Sequence, residues 1–164
     1  MSMGHPARDG ASQIAEHVRV SSDRGQGASG PRLNELAERE CIELLATQVI
    51  GRVGVVVAGR ALVFPVNYVL DRGHIVFRTD EGTKLEAARA GATVTFEVDH
   101  SDLIYHTGWS VMATGTLEAV TDPHDLQRVR GLPVRAWGGT GTQWVRMPIA
   151  TISGRRIISA PAAS

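Results

Sequence analysis

The sequence predicts a mainly β fold with short α-helices, arranged as a small closed or split barrel of about six mostly antiparallel strands. Short apolar runs with alternating side chains recur between residues 53 and 152, which is typical of half-buried strands. Turn sequences separate the first of these runs, with GR at 59–60 and DRG at 71–73. Only short helical patterns lie between the strands, so we expect the sheet to carry most of the core.

The composition favours one globular domain flanked by two tails. The chain has 164 residues, of which 43% are hydrophobic, and this is enough for a single core. Residues 1–31 are predicted to be a flexible tail, because they are rich in Gly, Ser, Arg and Asp and lack an apolar stretch of signal-peptide or membrane-spanning length. The folded domain is predicted over residues 32–158, with a C-terminal tail at 159–164.

Charge and cysteine content argue against several classes of function. The 17 basic residues balance the 17 acidic residues, so we expect no binding to nucleic acid and none to a membrane surface. Cys41 is the only cysteine, which excludes an intrachain disulfide and is typical of a reducing compartment. We therefore expect a cytoplasmic protein in which Cys41 is a buried structural thiol.

A helix is predicted near the start of the domain. Asn34 is expected to cap it, and Glu35 and Glu38 suit the positive end of the helix dipole. Gly51 is expected to end this segment. The apolar positions of the helix recur at helical spacing and are Leu33, Leu36, Ala37, Cys41, Leu44 and Leu45.

Strands and two further helices complete the predicted order. One helix spans 83–90 and closes at Gly91. Another spans 122–130, with Asp122 as its cap and Pro123 at its first position. The strands are predicted at 53–57, 63–70, 75–77, 93–99, 110–120 and 144–152.

Polar residues follow the strand at 75–77 just where the next helix begins. Arg78 and Thr79 end the strand, and the sequence Gly82, Thr83, Lys84 opens the helix. Backbone N–H groups, a hydroxyl and an ammonium are therefore placed to converge on one anion. The alternative is that Thr83 caps the helix, and that Lys84 and Arg78 are solvated surface residues.

Four segments together resemble the pyridoxamine 5'-phosphate oxidase-like, flavin-binding split barrels. The resemblance extends over roughly residues 33–157, and it depends on the order and spacing of the segments more than on any one of them. The segments are IGRVGVVVAGRALVFPVNYVLDRGHIVFRTDEGTKLEAA at 50–88, FEVD at 96–99, GWSVMATGTLEAV at 108–120 and WVRMPIATISGRRI at 144–157.

The resemblance implies an FMN-binding type of split barrel that forms a homodimer, with two cofactor sites at the subunit interface. It implies that the isoalloxazine ring is contacted by Pro65, Val66, Asn67 and Tyr68. It implies that the ribityl and phosphate oxygens are held by Arg78, Thr79, Thr83 and Lys84. It also implies that the other subunit brings Ser110 to the ring, and Trp109 is expected to border the same pocket.

The function implied by the resemblance is an FMN-dependent oxidoreductase that transfers a hydride to or from a small molecule. Lys84 is followed by Leu85, where the vitamin-pathway oxidase has a second basic residue, and Arg155-Arg156 only loosely matches its substrate-binding segment. The sequence is therefore more similar to actinobacterial branches that use flavin or deazaflavin. The alternatives are a non-catalytic carrier or sensor of flavin, deazaflavin or haem, and a structural barrel without a cofactor.

Two further patterns have simpler interpretations. Five candidate metal ligands crowd residues 97–106, but most fall in a turn, so we expect a polar loop at the barrel rim and no metal site. His106 facing a haem is a minor alternative. The Gly-rich segment 135–143 lacks the strand-to-helix context of a phosphate-binding fingerprint and is interpreted as a mobile lid or rim. Trp137 and Trp144 are interpreted as core or dimer-interface aromatics.

Overall fold

The computed structural model describes residues 32–158, and the two predicted tails lie outside them. The described residues form nine strands and three short helices. In chain order these are β1 (Arg32–Glu35), α1 (Glu38–Leu45), β2 (Ile50–Val57), β3 (Arg60–Asp71), β4 (His74–Thr79), α2 (Thr83–Arg89), β5 (Thr93–Asp102), β6 (Thr107–Thr116), β7 (Glu118–Ala119), α3 (Pro123–Arg130), β8 (Gln143–Pro148) and β9 (Thr151–Ile158). The predicted mainly β fold with short helices is confirmed.

All strand pairs are antiparallel, and the sheet closes on itself. The strand order is β1-β9-β6-β5-β2-β3-β4-β8-β7. In a flat sheet, β8 and β9 would be six strand spacings apart, or about 29 Å. Only Ile149 and Ala150 join them, however, and that link reaches about 11 Å. The Ala150 N–H also donates to the carbonyl of Thr114 on β6 at 2.9 Å, so the two ends of the sheet meet as in a barrel.

The first predicted helix is wrong at its N-terminal end. Arg32–Glu35 is a strand whose residues pair with Ile158–Arg155 of β9. Asn34 therefore does not cap a helix, and α1 begins at Glu38 after the N-cap residue Ala37. The reason is a pairing between segments about 120 residues apart, which local helical spacing does not reveal.

Three strand boundaries also differ from the prediction. Gly51 lies inside β2 and not at a helix end, because its missing side chain makes room for the ring of Phe96. The segment predicted as one strand at 144–152 is divided between β8 and β9 at the link that closes the barrel. The segment predicted at 110–120 is likewise divided, with Leu117 between β6 and β7.

Local turn and capping signals predict the β3–β4 turn and the start of α3 correctly, whereas the turn predicted at Gly59-Arg60 lies one residue earlier, at Ala58-Gly59. Arg72 and Gly73, with φ values of 50° and 79°, form the tight turn between β3 and β4. The side chain of Asp122 accepts hydrogen bonds from the backbone N–H groups of His124 and Asp125 and caps α3, and Pro123 occupies the first turn.

The main hydrophobic core fills the barrel, and a smaller one lies under α3. Ile75 and Phe77 of β4 enter the main core, whereas Val76 between them packs in the smaller core, so β4 is buried on both faces. Cys41 is fully buried in the main core, where burial raises the pKa of its thiol. Within residues 32–158, no helix is long and apolar enough to cross a membrane.

Candidate functional site

A pocket of about 260 Å³ lies where β3, the end of β4 and the start of α2 meet the segment that precedes β8. We name it the Lys84 pocket. Nine residues line it. Five of them are among the ten predicted site residues, and the other four were not predicted. The lining residues are Pro65, Val66, Arg78, Thr79, Asp80, Glu81, Lys84, Trp137 and Gly138.

Lys84 is a partly buried cation in the first turn of α2, and it is the only lysine of the chain. Its ammonium lies 4.7 Å from the centroid of the Phe64 ring. Burial lowers the pKa of Lys84, and the nearby charge of Asp80 opposes this effect. Among the described residues, no carboxylate forms a salt bridge with Lys84. A partly desolvated ammonium that forms no direct salt bridge favours an anionic ligand.

Arg78 provides a second, firmly oriented cation at the end of β4. Its guanidinium carbon lies 5.2 Å from the ring centroid of Trp144, and its Nε donates to the carbonyl oxygen of Gly141 at 2.7 Å. The next residue, Thr79, is buried, and its hydroxyl donates to the backbone carbonyl of Asp80 at 3.2 Å. Arg78 and Lys84 therefore give one end of the pocket a positive character.

The two carboxylates at the pocket are both engaged by other groups. Asp80 accepts hydrogen bonds from the Thr140 hydroxyl at 2.7 Å and from the Thr140 N–H at 3.1 Å. The hydrogen bond from the Thr140 hydroxyl is the main cause that lowers the pKa of Asp80. Glu81 accepts two hydrogen bonds from Arg89, at 2.8 and 2.9 Å. Glu81 is therefore paired with the cation of Arg89, whereas Asp80 has only neutral hydrogen-bond donors and keeps its charge near Lys84.

Residues 135–142, which we name the tethered loop, border the pocket. The Asn67 side-chain amide donates to the carbonyl of Ala136 at 3.5 Å near the start of the loop. Asp80 and Arg78 hold its end, through Thr140 and Gly141. The loop thus lies at the rim of the site, where the sequence interpretation placed it.

Thr83 does not cap α2. The N-cap is Gly82, with φ 133°, and α2 has no side-chain hydrogen bond at its cap. Thr83 is the first residue of the helix and is not among the residues that line the Lys84 pocket. The alternative in which Thr83 serves as a helix cap is therefore wrong.

Asn67 and Tyr68 lie beside a second pocket of about 230 Å³, together with Val49 and residues 133–135. The Tyr68 ring packs edge-on against Phe96, with 4.8 Å between ring centroids. Its hydroxyl donates to the carbonyl of Leu45, and burial strongly raises the pKa of Tyr68. The side chain of Tyr68 therefore packs in the core, and its backbone N–H donates to the carbonyl of Val49 at 3.0 Å.

Trp109 and Ser110 lie in β6 beside a third pocket, of about 370 Å³, which we name the Trp109 pocket. His100 stacks on Trp109 with 6.2 Å between ring centroids. In the sheet, three strand steps separate β6 from β3, which is about 14 Å. The ten predicted residues therefore do not form one site within a single chain.

The acidic residues predicted as a polar rim have structural partners. Glu97 and Asp99 both pair with Arg52, at 2.8 and 2.6 Å. Asp102 accepts hydrogen bonds from the backbone N–H groups of Ile104 and Tyr105 in the turn between β5 and β6. Over residues 32–158, no group of three or more His, Cys, Asp or Glu side chains is arranged to hold a metal ion.

Comparison with known proteins identifies the family. Residues 37–156 match the family model described as pyridoxamine 5'-phosphate oxidase. The chain belongs to the pyridoxamine 5'-phosphate oxidase family. An uncharacterized protein of Mycobacterium tuberculosis is 32% identical over 136 residues, which cover 80% of this chain and 84% of that protein. The family resemblance expected from the sequence is thereby confirmed.

Two solved structures of FAD-binding proteins are similar to this chain. The one from Mycobacterium smegmatis has 33% identity and a TM-score of 0.62, and the match covers 74% of this chain and 95% of the other. The one from Mesorhizobium loti has 26% identity and a TM-score of 0.65, and the match covers 79% and 99% of the two chains. The split-barrel fold expected from the sequence is confirmed.

Within this family fold, sequence reasoning missed the side chains that complete the Lys84 pocket. Asp80 and Glu81 directly follow two predicted site residues, so their position in the chain could have suggested them. Trp137 and Gly138 come from a loop more than 50 residues further along the chain. Hydrogen bonds from the loop to Asp80, and from Asn67 and Arg78 to the loop, bring them to the pocket, and no local pattern encodes those bonds.

Proposed function

We propose that this protein is a flavin-dependent oxidoreductase whose Lys84 pocket binds the phosphate of a flavin nucleotide. The observation that carries the proposal is the ammonium of Lys84, which is partly buried and has no salt-bridge partner among the described residues. Arg78 lies at the same pocket, and the adjoining wall is the apolar strand segment of Pro65 and Val66. Membership of the pyridoxamine 5'-phosphate oxidase family and the likeness to two FAD-binding proteins support it.

The chemistry of the pocket fits the two parts of a flavin nucleotide. A phosphate monoester carries between one and two negative charges at neutral pH, and charge-assisted hydrogen bonds from Lys84 and Arg78 would hold it. The flat ring system needs an apolar surface, which the exposed Pro65 and the indole of Trp137 supply at this pocket. FMN is the cofactor expected from the sequence, and FAD shares its ring and its first phosphate. The chemistry that a bound flavin supplies is hydride and electron transfer.

We further propose that the active form is a homodimer. Drug-sized ligands occupy pockets of roughly 300–1,000 Å³, so the Lys84 pocket of one chain is too small to enclose a whole flavin nucleotide. Three large apolar residues share the outward face of the sheet, where Val56, Val63 and Met112 are 71%, 63% and 50% exposed. Ser110 lies on the same face, as the strand register shows. Pairing two copies through this face would cover the apolar residues and bring Ser110 of one copy toward the pocket of the other.

In this proposal the residues of the chain bind and orient the cofactor, and we assign no catalytic acid or base. Lys84 and Arg78 hold the phosphate, the β3 strand positions the ring, and the tethered loop excludes water from one side. The substrate is a small molecule that approaches the exposed ring face. The buried free thiol of Cys41 is in keeping with a cytoplasmic location.

A second candidate is a non-catalytic carrier or sensor of flavin, deazaflavin or haem. The observation that favours it is that most polar groups around the Lys84 pocket already form hydrogen bonds within the protein. Asp80, Glu81 and the hydroxyl of Thr79 are all engaged by structural hydrogen bonds. Within the described part of the chain, the pocket thus shows no obvious proton donor for chemistry apart from Lys84. A carrier needs none.

Titration of the purified protein with FMN and with FAD, followed by visible absorption, tests the proposal. We expect saturable binding of one flavin per chain and a perturbed flavin spectrum, followed by turnover with a reductant and a panel of acceptors. Binding without any acceleration of electron transfer would favour the carrier. Failure of both flavins to bind, together with binding of a deazaflavin or of haem, would overturn the flavin assignment.

A further inference from the structure

The tethered loop crosses the rim of the Lys84 pocket between two anchor points. Near its start, the carbonyl of Ala136 accepts a hydrogen bond from Asn67, and near its end Thr140 is held by Asp80. Trp137 lies between these anchors and lines the pocket. Its side chain is 51% exposed and belongs to neither hydrophobic core. The fold therefore holds a large aromatic ring at the mouth of the pocket without using it for packing.

The shape of the loop depends on a close approach to the carboxylate of Asp80. The Thr140 hydroxyl donates to Asp80 at 2.7 Å, and the N–H groups of Thr140 and Thr142 donate at 3.1 and 3.4 Å. Gly139 has φ 66°, and a Cβ there would lie 2.0 Å from an oxygen of Asp80. Gly141 has φ 54°, and a Cβ there would lie 2.3 Å from the Cβ of Ala136. The glycines thus allow a turn that wraps around Asp80 and fixes the course of the loop.

We propose that Trp137 stacks on a planar ring of the bound flavin nucleotide, and that Asp80 positions Trp137 by tethering the loop. This inference rests on the proposed flavin site. The half-exposed indole of Trp137 and the exposed Pro65 line the same pocket, so a flat ring bound there can contact both. The ring is either the isoalloxazine or, in FAD, the adenine. Both rings are flat and aromatic and can stack on an indole. The ligands compared in the test below distinguish the two rings.

Flavin affinity of Trp137 variants tests the stacking. We expect Trp137→Ala to weaken binding roughly three- to tenfold, and Trp137→Phe to retain most of the affinity, since an aromatic ring is kept. Leu103→Ala is the matched control, because Leu103 is a large apolar residue that is 82% exposed in the turn between β5 and β6. Weaker binding of riboflavin, FMN and FAD alike assigns the isoalloxazine. Weaker binding of FAD alone, with ADP competing, assigns the adenine.

Two negative outcomes are distinguishable. Unchanged affinity of Trp137→Ala for every flavin, with normal binding by the wild-type protein, would overturn the stacking and leave the proposed function intact. Absence of flavin binding by the wild-type protein itself would overturn the proposed function, and the stacking with it.

Hydrogen exchange in the ligand-free protein tests the tether without any cofactor. We expect Asp80→Ala to speed exchange of the Thr140 and Thr142 amides by about tenfold, because their hydrogen bonds to the carboxylate are lost. Asp102→Ala is the matched control, since Asp102 also accepts hydrogen bonds from two backbone N–H groups but lies in another turn. Unchanged exchange in Asp80→Ala would overturn the tether. Flavin affinity should also fall no further in the double variant Asp80→Ala, Trp137→Ala than in Trp137→Ala alone.

Discussion

Replacing Lys84 by methionine isolates the charge that the proposed phosphate site requires. Methionine keeps an unbranched side chain that still packs on Phe64, but it removes the ammonium. A hydrogen bond between charged groups contributes about 1.5–3 kcal/mol, so the loss corresponds to roughly 10- to 150-fold weaker binding of FMN. The ligand-free protein should be no less stable, because the ammonium that burial disfavours is gone.

Riboflavin makes the Lys84→Met experiment specific, because it has the flavin ring but no phosphate. Fluorescence titration of both ligands against wild-type and variant protein gives a thermodynamic cycle. We expect the substitution to weaken FMN binding strongly and to leave riboflavin binding nearly unchanged. Arg60→Met is the matched control, since it removes one exposed positive charge from the first residue of β3. Equal losses for FMN and riboflavin, or no loss for either, would refute a contact between Lys84 and the phosphate.

Three further predictions concern stability and titration. Gly51→Ala should destabilise the protein by about 1–3 kcal/mol in urea unfolding, because the new Cβ would lie 2.2 Å from a ring atom of Phe96. Gly54→Ala on the same strand is its control and should cost little, since its nearest contact is 3.6 Å. The pKa of Asp80 is lowered from 3.8, mainly by a hydroxyl hydrogen bond from the tethered loop. The ionised carboxylate should therefore hold the loop at neutral pH, and the tether should be lost as the pH falls through the lowered pKa of Asp80. Amide chemical shifts of the loop should follow this loss in the wild-type protein but not in Asp80→Asn. Because burial lowers its pKa, the acylation rate of Lys84 should level off at a lower pH than that of a free alkyl amine, and FMN should protect Lys84 in peptide mass spectrometry. Labelling that is indifferent to FMN would argue against this site.

The sequence predicted those parts of the fold that local chemistry decides. The turn at Arg72-Gly73 and the cap of α3 at Asp122 follow from the conformational preferences of a few adjacent residues. The pairing of Arg32–Glu35 with β9 could not be predicted this way, because the partner strand lies at the other end of the domain. The link between β8 and β9 could not be predicted either, because residues 144–152 have the pattern of one continuous strand. The chain changes direction at Ile149 and Ala150 to close the barrel, which depends on distant strands.

The structure brings some of the predicted site residues together and leaves others apart. Arg78 and Lys84 are six residues apart, so the order of strand, loop and helix was enough to bring them together. Ser110 and Pro65 lie on different strands of one sheet face, and in the proposed homodimer Ser110 of one copy would approach the pocket of the other. Trp137 could not be assigned in advance, because the hydrogen bonds that hold its loop span about 60 residues of sequence.

A crystal structure of the protein grown with FMN is the most direct test of the central claim. The account predicts a phosphate oxygen about 2.7–3.2 Å from the ammonium nitrogen of Lys84, with the flavin ring along Pro65 and Val66. Trp137 should then lie over a flat ring of the ligand or at its edge. A flavin whose phosphate lies in the Trp109 pocket, or anywhere more than one water molecule away from Lys84, would contradict the account.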